Sequence, residues 1–282
     1  MEKNRGNERY CKVQEYDTDE FNQLGAVPVY YIILIQGGGA VNVDFNEYLF
    51  DGIIAIFTTP YQVVHFTSKP KLRLRVLQFH GDFYCIEFHK KEVACNGLLF
   101  NNIYERPLID LEKASYIEIN ANMDKLDKES GRRNSYSIAI VRAYLQLILA
   151  ICSKIKSANG SVGDAGKAPH PIMEFKSLLE SHFNKERQPA FYASRIGLSP
   201  NAFSKKCQLY FHKSPSALIQ ERVILEAKKL IHLSYKSMKE VATLLHFDDE
   251  NYFSRYFKKH TGVTPTKFRE EVGISIVADL SR

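Results

Sequence analysis

The last hundred residues repeat themselves, and this repeat restricts the folds open to the chain more than any other feature. Phe203-Ser-Lys recurs fifty positions on as Phe253-Ser-Arg, Asn201 recurs as Asn251, and Ser214-Pro215 recurs as Thr264-Pro265. Upstream the offset is forty-nine, from Tyr192-Ala193 to Val241-Ala242. A one-residue change of offset is what a turn between two helices absorbs. The expected unit is a short helix, a tight turn and a second helix, used twice. Such a pair can lay two helices in successive major grooves of a duplex.

Local signals support both units. In the first, Pro189 can open a helix, Ala193 is small enough for a close crossing, and Gly197 sits at the turn. Ser199-Pro200 then supplies an N-cap followed by proline at the first helical position. The second helix directs Phe203 and Cys207 inward and leaves Asn201, Ser204 and Lys205 on its outer face. In the second unit, Ser237 and Glu240 have capping-box spacing. Val241, Leu244 and Leu245 make the inward stripe, and His246 stands at the turn. Asp248 or Asp249 caps the next helix, with Phe253 and Phe257 inward and Glu250, Asn251, Ser254 and Arg255 outward. A connecting helix from Ser214-Pro215 to about His232 would be a rod of about 27 Å at about 1.5 Å per residue. With the width of its flanking helices, that suits the roughly 34 Å between major grooves on one face of B-DNA.

The charge follows the repeat. The chain has 38 Lys/Arg and 32 Asp/Glu, a net +6. Residues 172–271 hold 17 and 11 of these, and the remainder holds 21 of each. All the net positive charge therefore lies on the repeat, as a polyanion partner would require.

The N-terminal half reads differently. Residues 27–119 suggest strands at Val29–Ile35 (ending at Gly37-Gly38-Gly39), Ile53–Thr59, Gln62–Phe66 and Phe83–Phe88. The alternation of Leu72, Leu74 and Val76 with Arg73, Arg75 and Leu77 suggests a further half-buried strand. Many short strands imply a β-barrel or sandwich. From Asn134 the period becomes helical. Ile138, Val141, Leu145, Ile148, Cys152 and Ile155 form a heptad seam suited to a homodimer. A second stripe of Ile140, Tyr144, Leu147 and Ile151 runs beside it, so one helix could pack both on its own domain and on a partner. Arg142 and Gln146 argue against a membrane span in this stretch. Residues 157–171, rich in Gly, Ala, Ser and Pro, read as a flexible tether.

At this point residues 172–271 resemble the DNA-binding domain of AraC/XylS-type transcriptional regulators. The segment from Lys239 to Arg269 is similar to that family's most specific signature. The resemblance implies an α+β two-domain protein. A cupin-like β-barrel sensing domain (1–120) and helical dimerisation segment (121–156) would be followed by the tether (157–171), an all-α tandem helix-turn-helix domain (172–271) and a tail (272–282). It implies base contacts from Asn201, Ser204 and Lys205 in the first unit, and from Glu250, Asn251, Ser254 and Arg255 in the second. These residue types can read guanine, adenine or cytosine edges. Lys206, Lys213, Lys258, Lys259, Lys267 and Arg269 are then suited to phosphates. Three departures stand out: His246 at the turn, Cys207 in place of a large apolar residue, and Phe211 near the glycine that usually ends the first reading helix.

The resemblance further implies a cytoplasmic, dimeric regulator, more often an activator. It would bind adjacent major grooves of double-stranded DNA and respond to a small-molecule effector in the barrel, with RNA polymerase a further candidate partner. The alternative is a DNA-binding regulator whose N-terminal domain is a protein-interaction module without a ligand. No cofactor, metal or catalytic residue is expected. His65, His80 and His89 lack metal-cupin spacing, and phosphate-loop, nucleophile-elbow and His-Glu-x-x-His motifs are absent. Cys85 and Cys95 lack the surroundings of a reactive thiol, and the five scattered cysteines suit a reduced interior.

Overall fold

The computed structural model describes residues 11–44, 46–67, 70–84, 86, 98–100, 102–132, 134–160 and 171–274. The chain begins with β1 (Cys11–Asp17), a short α1 (Thr18–Asn22), β2 (Tyr30–Val43), β3 (Asn46–Thr58), β4 (Val64–Thr67), β5 (Arg73–Phe79) and β6 (Leu108–Asp110). All pair antiparallel in one sheet of order β1-β5-β2-β3-β6, with β4 also on β2. Among the described residues this sheet is not closed, so the expected barrel appears as a curled open sheet.

The curl has a local cause. β2 pairs with β5 through Ile35 and with β4 from Ala40, so the strand must bend between them. There Gly37 (φ 141°) faces Gly52 (φ 105°) across the β2–β3 ladder. Both angles lie where side chains are rarely tolerated. A Cβ on Gly37 would also meet Leu72 Cδ2 at 2.7 Å. The triple glycine, expected to end a strand, instead bends one that continues to Val43. Residues 83, 84 and 86 lie in a turn rather than a strand; Cys85, Phe88, His89 and Cys95 lie outside the described residues.

The sheet is buried on both faces, which explains the unbroken apolar run of Tyr30–Ile35. Tyr31, Ile33, Ile35, Leu74 and Val76 join the core on one face. Ile32, Leu34, Leu77 and Phe79 join a second core beneath two helices, α2 (Lys113–Ser130) and α3 (Ser135–Gly160). α2 starts inside the segment expected to be all strand. Arg75, expected on a solvent face, ties the sheet to this helix by donating to Asn120 Oδ1 (2.9 Å) and pairing with Asp124.

In α3 the expected dimer seam is core, and of the second stripe Tyr144 and Ile151 also pack against that core, which leaves Ile140 and Leu147 exposed. Val141, Leu145, Ile148 and Cys152 are 3% exposed or less and belong to the protomer's own core; Ile155 packs against it, and of the six only Ile138 is exposed. The outer face carries Tyr136, Ile140 and Leu147, at 81%, 41% and 44% exposure. By length and composition alone Tyr136–Ala158 could cross a membrane (mean hydropathy 1.8). Its inner stripe, however, fills the core, and Arg142 donates Nε to Phe83 O (3.1 Å). α3 also runs to Gly160, four residues into the stretch read as a tether; residues 161–170 lie outside the described residues.

The C-terminal domain comprises α4 (Pro171–His182), α5 (Pro189–Arg195), α6 (Pro200–Phe211), α7 (Pro215–His232), α8 (Met238–Leu244), α9 (Glu250–Thr261) and α10 (Pro265–Val272). It has two cores. One joins α4, α5, α6 and the N-terminal half of α7 through Phe175, Tyr192, Phe203, Cys207 and Leu218. The other joins the C-terminal half of α7 to α8, α9 and α10 through Ala227, Ile231, Val241, Phe253 and Phe257.

The stripe assignment is testable by urea unfolding of the full chain. Leu145→Ala should destabilise by about 2–5 kcal/mol, as a large-to-small change in a core does. Leu147→Ala, on the outer face, should stay within about 0.5 kcal/mol at concentrations where the chain is monomeric.

Candidate nucleic-acid interface

Each reading head is built by its caps. Ser199 Oγ accepts from Ala202 N (3.3 Å) at the start of α6, with Pro200 next. Asp249 Oδ1 accepts from Tyr252 N (2.7 Å) at the start of α9, which settles the choice between the two aspartates. At α8, Ser237 and Glu240 form the full capping box, and those hydrogen bonds hold the exposed Glu240 carboxyl below its usual range. Ser214 and Thr264 cap α7 and α10 in the same way.

Four residues in these heads adopt the left-handed conformation. The turn of the first head uses Gly197 (φ 68°) and its second helix ends at His212 (φ 57°). The turn of the second uses His246 (φ 51°) and its second helix ends at Gly262 (φ 79°). Each head thus carries one glycine and one histidine where glycine is most easily accommodated; the penalty for a side chain there is about 1–2 kcal/mol. Phe211 does not replace a terminal glycine. It is buried, and the terminating position belongs to His212. Cys207 is fully buried between Phe203 and Phe211, and burial pushes its thiol up to about 12. Cys11 and Cys152 are likewise buried, and neither is in a disulfide.

The outer faces carry the expected side chains. Asn201, Ser204 and Lys205 are exposed on α6; Glu250, Asn251 and Arg255 are exposed on α9, and Ser254 is half-buried. Lys258 and Lys259 are exposed near the end of α9. Lys206 is half-buried, and Lys267 is exposed with Glu271 at 3.6 Å.

Two cations expected at phosphates are engaged elsewhere. Lys213 is 5% exposed; its Nζ donates to Glu221 Oε2 (2.6 Å) and to Ile103 O (3.0 Å) of the N-terminal domain. Arg269 donates Nε to Ile231 O (3.1 Å), and burial lowers its pKa. No helical period can report such contacts, because Glu221 lies on the next helix and the carbonyls of Ile103 and Ile231 lie more than thirty residues from the cations they accept from.

Lys213 belongs to a seam between the domains that the sequence does not advertise. Asn46 Nδ2 donates to Glu221 Oε1 (2.7 Å), and Lys228 Nζ donates to Pro60 O (2.8 Å). Burial raises the Glu221 pKa against the lowering effect of Lys213 and Asn46, and burial lowers that of Lys228. Tyr61, 2% exposed, inserts into the core of the second head with its ring 5.3 Å from that of Phe268. Its φ is 61°, and the preceding Pro60 is the one hint of a special turn that the sequence carries. A cavity of about 90 Å³ opens at this seam, lined by Asn46, Tyr48 and Phe57 of the sheet domain and by Glu221, Ile224 and Lys228 of α7. Among the described residues no cluster of His, Cys, Asp and Glu could hold a metal.

Two capped helix-turn-helix units with exposed polar and cationic outer helices define the DNA-binding part of a transcriptional regulator. A family model described as a helix-turn-helix domain matches residues 192–271. The C-terminal unit of this chain is an AraC-type helix-turn-helix domain, and its relatives are AraC/XylS-family regulators. The chain is 23% identical over 202 residues to the transcriptional activator RhaR of Cronobacter sakazakii, covering 70% of each. It is 34% identical over 92 residues to the arabinose operon regulatory protein of Salmonella typhimurium, covering 33% of this chain and 31% of that one. Apart from the first, the leading relatives are matched over about a third of their own length. Among solved structures, apo ToxT from Vibrio cholerae aligns with 95% of this chain and 100% of its own at 16% identity, TM-score 0.41.

Lys213→Ala should therefore act on stability, losing about 3–5 kcal/mol by leaving Glu221 unpaired, without changing the salt dependence of DNA binding. Lys258→Ala should leave stability within about 0.5 kcal/mol. It should also reduce the slope of log affinity against log salt by about 1. Urea unfolding and anisotropy titrations across a salt series separate the two.

Proposed function

We propose that this protein is a sequence-specific transcriptional activator whose two heads read adjacent major grooves. Asn201, Ser204 and Lys205 would read bases from α6; Glu250, Asn251, Ser254 and Arg255 would read them from α9. Lys206, Lys258, Lys259 and Lys267 would hold phosphates. The observation that carries this reading is the matched presentation of these side chains on two capped helices joined by a single 18-residue rod, α7. Pairing of two copies would use the outer stripe of α3, Tyr136, Ile140 and Leu147, because the inner stripe is occupied by the protomer's own core.

The effector would enter the cavity at the domain seam rather than the interior of the sheet. Its walls come from both domains, so a ligand there makes contacts that depend on how the heads are held, as differential binding requires. The small cavity volume favours a compact ligand, or a seam that opens on binding. It equally supports the alternative, an N-terminal domain that recruits a protein and binds no ligand. In a thermal-shift screen, a molecule that raises the melting temperature of the full chain supports the first; no hits together with a defined protein partner retained by pull-down supports the second.

Selection of bound sequences from a random duplex library with the full chain should recover two blocks about one helical turn apart. A one-block motif would mean that one head does not read bases, and no enrichment would refute sequence-specific binding by the chain on its own. On the recovered site Arg255→Ala should lose about 1–3 kcal/mol and relax preference at one base; an equal loss on random DNA would make Arg255 a phosphate contact. Ile140→Asp with Leu147→Asp should give a folded monomer by sedimentation. An unchanged mass would remove the outer stripe from the interface.

A further inference from the structure

The two heads have separate cores, and each packs on its own half of α7. One connection crosses from the first to the second without passing through that helix. It is the segment between α4 and α5, residues 183–188. Phe183 packs against both cores, and the Arg222 guanidinium of α7 lies 3.9 Å over its ring. Four residues further on, Arg187 reaches the turn of the second head. Its Nη2 donates to Leu245 O (2.5 Å) and lies 3.4 Å from His246 O. Its guanidinium stands 3.7 Å over the Phe247 ring and 5.9 Å from that of Tyr256.

Those acceptors matter because of what the turn contains. His246 holds a left-handed conformation without glycine's freedom, and the same turn bonds Phe247 N to Ala242 O (2.9 Å) to aim α9. A planar, delocalised cation that stacks on Phe247 while bonding the adjacent carbonyls fixes this turn from outside the second head. In the first head the corresponding turn has Gly197 and needs no such support. Burial lowers the Arg187 pKa, and its Nε finds no partner among the described residues, so the group is held there at some expense.

We infer that Arg187 is a positioning residue that sets the orientation of the second reading head relative to the first, and through it the spacing of the two DNA blocks the protein accepts. The spacing half of this rests on the DNA-reading function proposed above; the orientation half does not. The test places spin labels on genetically encoded keto amino acids at Gln208 of α6 and Lys259 of α9, in the full chain without DNA. Wild-type protein should give one narrow distance distribution. Arg187→Ala should broaden or shift it, and Arg187→Lys, which keeps the charge but loses the flat stack, should fall between. An unchanged distribution in Arg187→Ala overturns the inference. If Arg187→Ala does not fold, the comparison of wild type with Arg187→Lys decides in the same way.

Binding to duplexes with one base pair inserted or removed between the blocks supplies the second readout. Wild type should lose about tenfold or more on either change, comparable to a mismatched base pair. Arg187→Ala should flatten that preference while binding the unaltered duplex less tightly. An Arg187→Ala protein that keeps the wild-type ratio between spacings overturns the spacing half. Should the distances change while wild type prefers no duplex at all, the failure lies with the DNA-reading function and not with Arg187.

Discussion

Everything in this structure converges on α7. Along 18 residues it closes the core of the first head with Leu218 and Ile219, and the core of the second with Ala227 and Ile231. On its remaining surface it meets the sheet domain through Glu221 and Lys228. A helix with one apolar stripe normally has one neighbour. This one must satisfy three, and it does so by dividing its length between the heads and turning polar groups toward the sheet. The buried Lys213–Glu221–Asn46 arrangement follows from that constraint. Charges brought into a seam need partners on the spot, and the partners come from both domains.

The parts of the fold legible in the sequence are those fixed by near neighbours. Ser199-Pro200, Ser214-Pro215, Thr264-Pro265 and the Ser237–Glu240 box mark helix starts, because a cap bonds within three residues of itself. All four are present as caps. Outward-facing Asn201, Lys205, Asn251 and Arg255 were legible for a related reason, since helical periodicity alone separates them from Phe203 and Phe253.

Less was legible where two solutions share a pattern. α3 has two apolar stripes, and periodicity cannot say which faces its own sheet; the seam through Leu145 and Ile148 proved to be core. Gly37-Gly38-Gly39 suits a strand end as well as a bend, and only the change of partner from β5 to β4 distinguishes them. Lys213 and Arg269 look like any surface cation near a reading helix, yet tertiary partners claim both. Tyr61 and Arg187 were missed altogether, because what each does is defined by a surface that the chain reaches only after long separation.

The paired strands β2 and β3 form a shared wall with a core on each side. Phe57 of β3 belongs to the core beneath α3, stacks edge-on to Phe100 at 5.7 Å, and also lines the cavity at the domain seam. Tyr48 of the same strand joins the opposite core and the same cavity. Close-packed interiors pass a change of volume on to their neighbours rather than absorbing it. The inner face of α3 and the space beside α7, though they belong to different halves of the chain, are therefore mechanical neighbours that share one packed core.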